Sequence, residues 1–152
     1  MLNLSEDMSL EEIKLFLTCA RVGRLGVCID GYPYIVPLGY VYVDGKIAFH
    51  TCEKGLKMEA IKRNRNVCFE VDEATSDISM YKSVIIQGNI EILENPEEIK
   101  PYLQKLIDKY RIPEPLEQYM SKTSRNLEEE LKIVRICIIT PKKITGRKYI
   151  RK

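Results

Sequence analysis

Two Asp-Gly pairs, Asp30-Gly31 and Asp44-Gly45, each stand between short runs rich in β-branched and aromatic residues. An Asp-Gly step favours the left-handed backbone of a two-residue hairpin turn, whose twist matches that of the strands it joins. The flanking runs therefore read as three antiparallel strands, Arg24–Ile29, Tyr32–Val43 and Lys46–Thr51. Pro33 and Pro37 in the second have no amide hydrogen to give to a ladder. That strand is expected to lie at an edge or to bulge there, leaving neighbouring backbone groups free for a ligand.

Before these strands, Ser9-Leu10-Glu11-Glu12 has the spacing of a capping box, with Met8 and Ile13 at the staple positions. Leu10, Ile13, Phe16, Leu17 and Ala20 recur at helical spacing, so a helix starts at Ser9 with one apolar face, and Gly23 is its expected stop. After them, Glu53 to Arg65 reads as a helix, Val67–Val71 as a strand and Ser79–Leu93 as a long strand. Asn95-Pro96-Glu97-Glu98 combines a capping residue, a first-turn proline and acids at the positive end of the helix dipole. It opens a helix over Pro96–Tyr110, ended by Pro113 and Pro115. A polar, helical stretch follows through Arg125, then a β-rich run from Leu131 to Thr140 and a last short strand from Ile144 to Ile150. About six strands in hairpin order predict a mainly β, α+β fold: an antiparallel six-stranded barrel with flanking helices. At 152 residues the chain fits a single domain spanning 1–152.

Charge and cysteine content exclude several classes. Lys plus Arg number 24 against 22 for Asp plus Glu, a net charge of +2, which argues against a dedicated polyanion binder. Tyr32, Tyr34, Tyr40 and Tyr42 would suit a barrel that stacks single-stranded nucleic acid. The balanced charge and the lack of a stacking motif weigh against that, and no nucleic-acid partner is expected. Cys19, Cys28, Cys52, Cys68 and Cys137 are odd in number with no Cys-x-x-Cys spacing. They imply neither a disulfide framework nor a zinc ribbon, so no metal is expected and the thiols suit a reducing cytoplasm. Glu6, Asp7, Glu11 and Glu12 stand where a signal peptide would be basic, so no export is expected. The apolar stretch from Leu25 to Val43 is broken by Asp30, Gly31, Pro33, Pro37 and Gly39, and no membrane span is expected.

His50 is the only histidine, and no Gly-x-Ser-x-Gly elbow accompanies it, so a hydrolytic triad has no support. His50 and Cys52 lie two apart on a strand and share a face, which permits a Cys-His pair. The simpler readings are a small buried hydrophobe for Cys52 and a packed strand-end residue for His50. The segment from His50 to Lys57 carries more: a strand runs into a helix through Thr51, Lys54, Gly55 and Lys57. Helix-start amides, a hydroxyl and flexible ammonium groups are what a phosphate monoester needs, although a solvated helix end reads the same way. The Walker order Gly-x-x-x-x-Gly-Lys-Ser/Thr is absent.

Arg24-Leu25-Gly26, Tyr34-Ile35-Val36-Pro37-Leu38-Gly39-Tyr40, Phe49-His50-Thr51 followed by Gly55-Leu56-Lys57, and Asn66-Val67-Cys68-Phe69-Glu70-Val71 together resemble the pyridoxamine-phosphate-oxidase-like flavoproteins. The nearest branch is similar to the nitroimidazole-resistance family. The resemblance covers residues 9 to 93 well and Ile144-Thr145-Gly146-Arg147-Lys148 weakly. It implies a split β-barrel that forms a homodimer and binds FMN in two clefts between the subunits. Val36, Pro37 and Leu38 match the strand whose backbone meets the isoalloxazine ring. Thr51, Gly55 and Lys57 match the phosphate-binding turn, Gln87 before Gly88 matches a strand near the flavin, and His50 matches a histidine beside the ring. Leu56 stands where that branch often has a basic residue, so Lys54 is the candidate to take over that phosphate contact. The Arg-x-His motif of the vitamin-forming oxidases is absent. What the resemblance implies is a cytoplasmic FMN-dependent oxidoreductase acting on a small aromatic or nitro-aromatic molecule, with His50 hydrogen-bonding the substrate or delivering a proton. The alternative is a flavin-binding carrier or sensor without turnover, which would share every binding residue.

Overall fold

The structure, a computed structural model, describes residues 4–120 and 126–152. Its elements run β1 (Glu6–Asp7), α1 (Leu10–Cys19), β2 (Gly23–Ile29), β3 (Tyr32–Leu38), β4 (Val41–Val43), β5 (Lys46–Cys52), α2 (Leu56–Arg63), β6 (Asn66–Ala74), β7 (Met80–Leu93), α3 (Pro96–Tyr110), α4 (Leu116–Met120), α5 (Leu127–Ile133) and β8 (Val134–Ile150). Both Asp-Gly pairs turn as their chemistry dictates, Asp30 and Gly31 with φ of 51° and 81°, Asp44 and Gly45 with 52° and 76°. They close two-residue hairpins with Ile29 opposite Tyr32 and Val43 opposite Lys46.

All strand pairs are antiparallel, in the order β3-β2-β6-β7-β8-β5-β4, with β1 paired to β8. The two ends of that order, β3 and β4, are separated in sequence by Gly39 and Tyr40 alone. Laid flat, seven strands would span about 29 Å, whereas Leu38 and Val41 can be at most ~11 Å apart along the chain. The sheet must therefore curl until its ends meet without pairing, which makes it a split barrel.

Eight strands replace the six expected. The run from Tyr32 to Val43 is two strands because Tyr40 is pulled inward. Its N–H donates to Tyr110 Oη at 2.9 Å and its own hydroxyl donates to the Leu17 carbonyl at 2.6 Å. At the C-terminal end the two expected strands are one, β8. Leu131 falls instead in α5, which begins at an Asn126–Glu129 capping box. The helix expected from Glu53 starts only at Leu56, since the Glu53 N–H continues sheet pairing to the Ile133 carbonyl. Ala20 rather than Gly23 caps α1. Of the helical stretch expected through Arg125, residues 121–125 lie outside those described. Ser9 and Glu12 make the expected capping box.

Two apolar clusters follow from this closure. Leu25, Phe49, Phe69, Val84 and Ile86 fill the barrel, with α1 contributing Phe16 and Leu17 and α2 contributing Met58 and Ile61. A second cluster joins Ala48, Ile136 and Ile138 on the outer side to Ile99, Leu103 and Leu106 of α3 and Leu131 of α5. The outer face of β3-β2-β6-β7 is left bare, with Ile35 64% and Ile85 42% exposed. Among the described residues, no helix is long and apolar enough to cross a membrane.

Candidate functional site

Alternation along β5 sends Ile47, Phe49 and Thr51 into the barrel and Ala48, His50 and Cys52 outward. The α3–α5 layer buries Ala48, while His50, at the edge of that layer, and Cys52 stay exposed. Cys52 is therefore not the buried hydrophobe expected, because alternation along β5 turns it to the outer face, where it is exposed. All five cysteines are free.

Thr51 is 6% exposed, and its Oγ1 is buried with no hydrogen-bond partner. Leaving such a group unpaired costs about 1–3 kcal/mol. Four residues on, Gly55 caps α2 at φ 131°, a backbone that side-chain-bearing residues avoid, and no side chain caps the helix. Nothing lies within 4 Å of where its Cβ would stand, so the space before the helix is open. Lys54 is exposed, Lys57 half-buried and Leu56 46% exposed. An orphaned hydroxyl, helix-start amides without a side-chain acceptor and two ammonium groups are a donor set that fits a phosphate monoester.

His50 lies at an apolar cavity of about 250 Å³ whose other walls are Gly39, Leu103, Leu106, Ile107, Tyr110, Ile112, Leu116, Tyr119 and Met120. Desolvation, and then the charge of Lys57, hold its pKa below the ordinary histidine value. The imidazole is thus mostly neutral at pH 7.

The prolines of β3 sit where the ladder requires. With Ile29 and Tyr32 a hydrogen-bonded pair, alternation makes Tyr34, Val36 and Leu38 bond to β2, while Pro33, Ile35 and Pro37 turn their backbone to the free edge. Neither proline deprives the sheet of a bond, as expected for an edge. Between Val36 and Leu38 the free group is the Pro37 carbonyl, and the nearest free amide is that of Ile35. The side chains of Val36 and Leu38 pack inward on the barrel core, and Pro37 is exposed.

Gln87 is on the bare outer face, in a groove of about 660 Å³ lined also by Arg24, Cys28, Ile35, Cys68, Glu70 and Lys143. One row across the sheet reads Ile35, Gly26, Cys68, Gln87, Lys143, and the next Pro37, Arg24, Glu70, Ile85, Thr145. Arg24 pairs with Glu70 at 3.3 Å and Asp72 at 3.2 Å. Burial, and then Asp72, push the Glu70 carboxyl above its ordinary pKa. Beside Gln87 the register slips, Gln87 facing Lys143 and Gly88 facing Pro141, so Lys142 is an extra residue in a bulge. A Cβ on Gly88 would stand 2.3 Å from the Thr140 carbonyl oxygen, so only glycine admits that approach.

The fold thus draws Thr51, Gly55, Lys54 and Lys57 into one stretch of chain and puts Lys57 in electrostatic reach of His50. It places His50 and Gln87 in separate cavities. The Arg24–Glu70–Asp72 network escaped sequence reasoning, although Glu70 and Asp72, two apart on a strand, were bound to share a face. The apolar wall opposite His50 gave no signal, since α3 and α4 lie more than forty residues downstream. No group of three or more His, Cys, Asp or Glu that could hold a metal ion occurs among the described residues.

Residues 9–148 match the family model for pyridoxamine 5'-phosphate oxidase. Over 86 residues the chain is 30% identical to an uncharacterized protein of Rhizobium meliloti, covering 57% of this chain and 56% of that one, so it spans little more than half the length of that curated relative. Among solved structures, a FAD-binding protein of Mesorhizobium loti is 28% identical with a TM-score of 0.72, over 95% of this chain and 98% of that one. A candidate 5-nitroimidazole antibiotic resistance protein of Bacteroides thetaiotaomicron shares the fold at a TM-score of 0.78 and 20% identity, over 95% of this chain and 87% of that one.

Proposed function

Because this chain belongs to the pyridoxamine 5'-phosphate oxidase family, we propose that it is an FMN-dependent oxidoreductase acting on a small aromatic or nitro-aromatic molecule. The observation that carries the FMN assignment is the buried, unpartnered Thr51 hydroxyl just upstream of the glycine-capped start of α2. In this reading Thr51 and the first amides of α2 hydrogen-bond the phosphate, while Lys54 and Lys57 neutralise it. Lys54 stands in for a basic residue at Leu56. The free edge of β3 at Val36, Pro37 and Leu38 orients the ring, and Gln87 contacts it from the bare sheet face. When bound, the flavin supplies the electron or hydride transfer, and the protein supplies position and electrostatics.

Lys57→Ala is expected to weaken FMN about 10–100-fold, the worth of one charge-assisted hydrogen bond. Riboflavin, which lacks the phosphate, should lose little in the same fluorescence titration. Equal losses for both ligands would place Lys57 away from the phosphate.

The bare face of β3-β2-β6-β7 and the separation of His50 from Gln87 favour a homodimer with the flavin in the cleft between subunits. A second copy would cover Ile35 and Ile85 and exclude water from the ring. Light scattering should give twice the chain mass; a monomer that holds FMN tightly would overturn the dimer.

A further inference from the structure

We infer that the cavity between β5 and the α3–α4 corner is a binding site for a compact, apolar-bodied monocarboxylate whose carboxylate lies on the His50 ring. The inference rests on the proposal above only in making that molecule the substrate of the flavin's reaction; the site itself needs no flavin.

Size comes first. At protein-like packing, a cavity of about 250 Å³ admits roughly 190 Å³ of ligand, on the order of ten non-hydrogen atoms. Chemistry follows from the walls. Leu103, Leu106, Ile107, Ile112 and Leu116 offer only hydrocarbon. The Tyr110 hydroxyl is committed, donating to the Arg21 carbonyl at 2.7 Å and accepting from the Tyr40 N–H at 2.9 Å. Tyr119 already has an interaction partner. Among the described side chains, His50 is thus the polar group left to orient an occupant of an otherwise apolar chamber. An apolar body with one polar end fits that layout.

Charge decides which polar end. Among the described residues no Asp or Glu lines the cavity, so a cationic head would find no partner there and would meet Lys57, whose field already acts on His50. A carboxylate meets the opposite situation, for it gains a charge-assisted bond once the imidazole takes up a proton from solvent. Among the described residues, the titratable groups around His50 are Lys57 on α2, Tyr110 and Tyr119 across the cavity, and Cys52 on its own face of β5. None is a carboxylate that could take the anion's place.

Because His50 is the only histidine, its ring protons give one resolved set of NMR signals, and phenylacetate serves as the probe. Saturable shifts of those signals are expected, with a titration midpoint that rises on binding. Affinity should fall by up to about tenfold per pH unit between the free and the bound midpoint and level off above the latter. Phenylacetate should bind at least about tenfold more tightly than 2-phenylethanol, and phenethylamine should bind more weakly than either. Leu116→Trp, which fills the cavity from a partly exposed position, should abolish the phenylacetate response; Ile112→Trp does the same from the other wall should the first variant not fold. The inference is overturned if phenylacetate leaves His50 unmoved, if 2-phenylethanol or phenethylamine binds as tightly, or if a folded, filled variant responds like the parent. FMN binding, read separately by absorbance on the same samples, decides the flavin proposal, so either can fail alone.

Discussion

His50→Ala is expected to slow reoxidation of the dithionite-reduced protein by a nitro-aromatic acceptor about 10²–10⁴-fold, the range of a lost general acid. FMN affinity should barely change. The reason for the split is the alternation of β5: the His50 ring projects outward at the α3–α4 cavity, whereas Thr51 points into the barrel and the other residues proposed to hold the phosphate lie at or just before the start of α2. Removing the imidazole leaves that cradle untouched. The pH profile adds a readout that a purely structural role would not move. Desolvation of the ring at the cavity, and then Lys57, hold His50 below its ordinary pKa, so the imidazolium accumulates only at lower pH than for a free histidine. The parent rate should therefore rise toward acid and the variant rate should stay flat. His50→Gln, which keeps a hydrogen-bonding head without a titrating proton, should be as flat and remain folded. Parent-like rates in both variants would remove His50 from the chemistry. A parent showing no acceptor-specific reoxidation would instead favour the carrier or sensor reading.

The second large effect concerns the bulge beside Gln87. Gly88→Ala is expected to destabilise the fold by about 3 kcal/mol, at the upper end of what overpacking costs. The new methyl would stand 2.3 Å from the Thr140 carbonyl oxygen, 3.0 Å from its carbonyl carbon and 3.1 Å from Pro141 Cα. All three are backbone atoms of β8, so no side chain can swing aside, and the β7–β8 ladder must part. Gly26→Ala is the control, since its Cβ would meet only ordinary contacts at 3.6 Å. Urea midpoints should separate the two variants clearly. Equal midpoints would mean that the bulge tolerates a side chain and that Gly88 serves another purpose.

Local chemistry accounts for a good part of the molecule. The Asp-Gly turns, the Ser9–Glu12 capping box and the Pro96–Tyr110 helix are interactions between residues a few positions apart, so they could be read directly and the structure contains them. The edge position of β3 was equally legible, because a missing amide hydrogen is a property of Pro33 and Pro37 themselves. Period-2 alternation alone puts His50 and Cys52 on one face. The phosphate-binding chemistry proposed for Thr51, Lys54, Gly55 and Lys57 was visible for the same reason, since all four fall in one short stretch of chain.

Tertiary structure decided what depends on distant partners. The run from Tyr32 to Val43 is continuous in its propensities, yet it divides at Gly39-Tyr40 because Tyr40 bonds to Leu17 and Tyr110, from α1 and α3. That division lets one chain segment serve both ends of the sheet and so curls the barrel. Whether Cys52 was covered depended on what the α3–α5 layer packs over on the outer face of β5, and no pattern within β5 encodes that. The same layer turns His50 from a strand-end residue into the polar end of an apolar chamber. Sequence period sets the direction in which a side chain leaves the backbone; what it meets there is set by elements that pack from elsewhere in the chain, and burial, pKa and cavity shape are properties of that meeting.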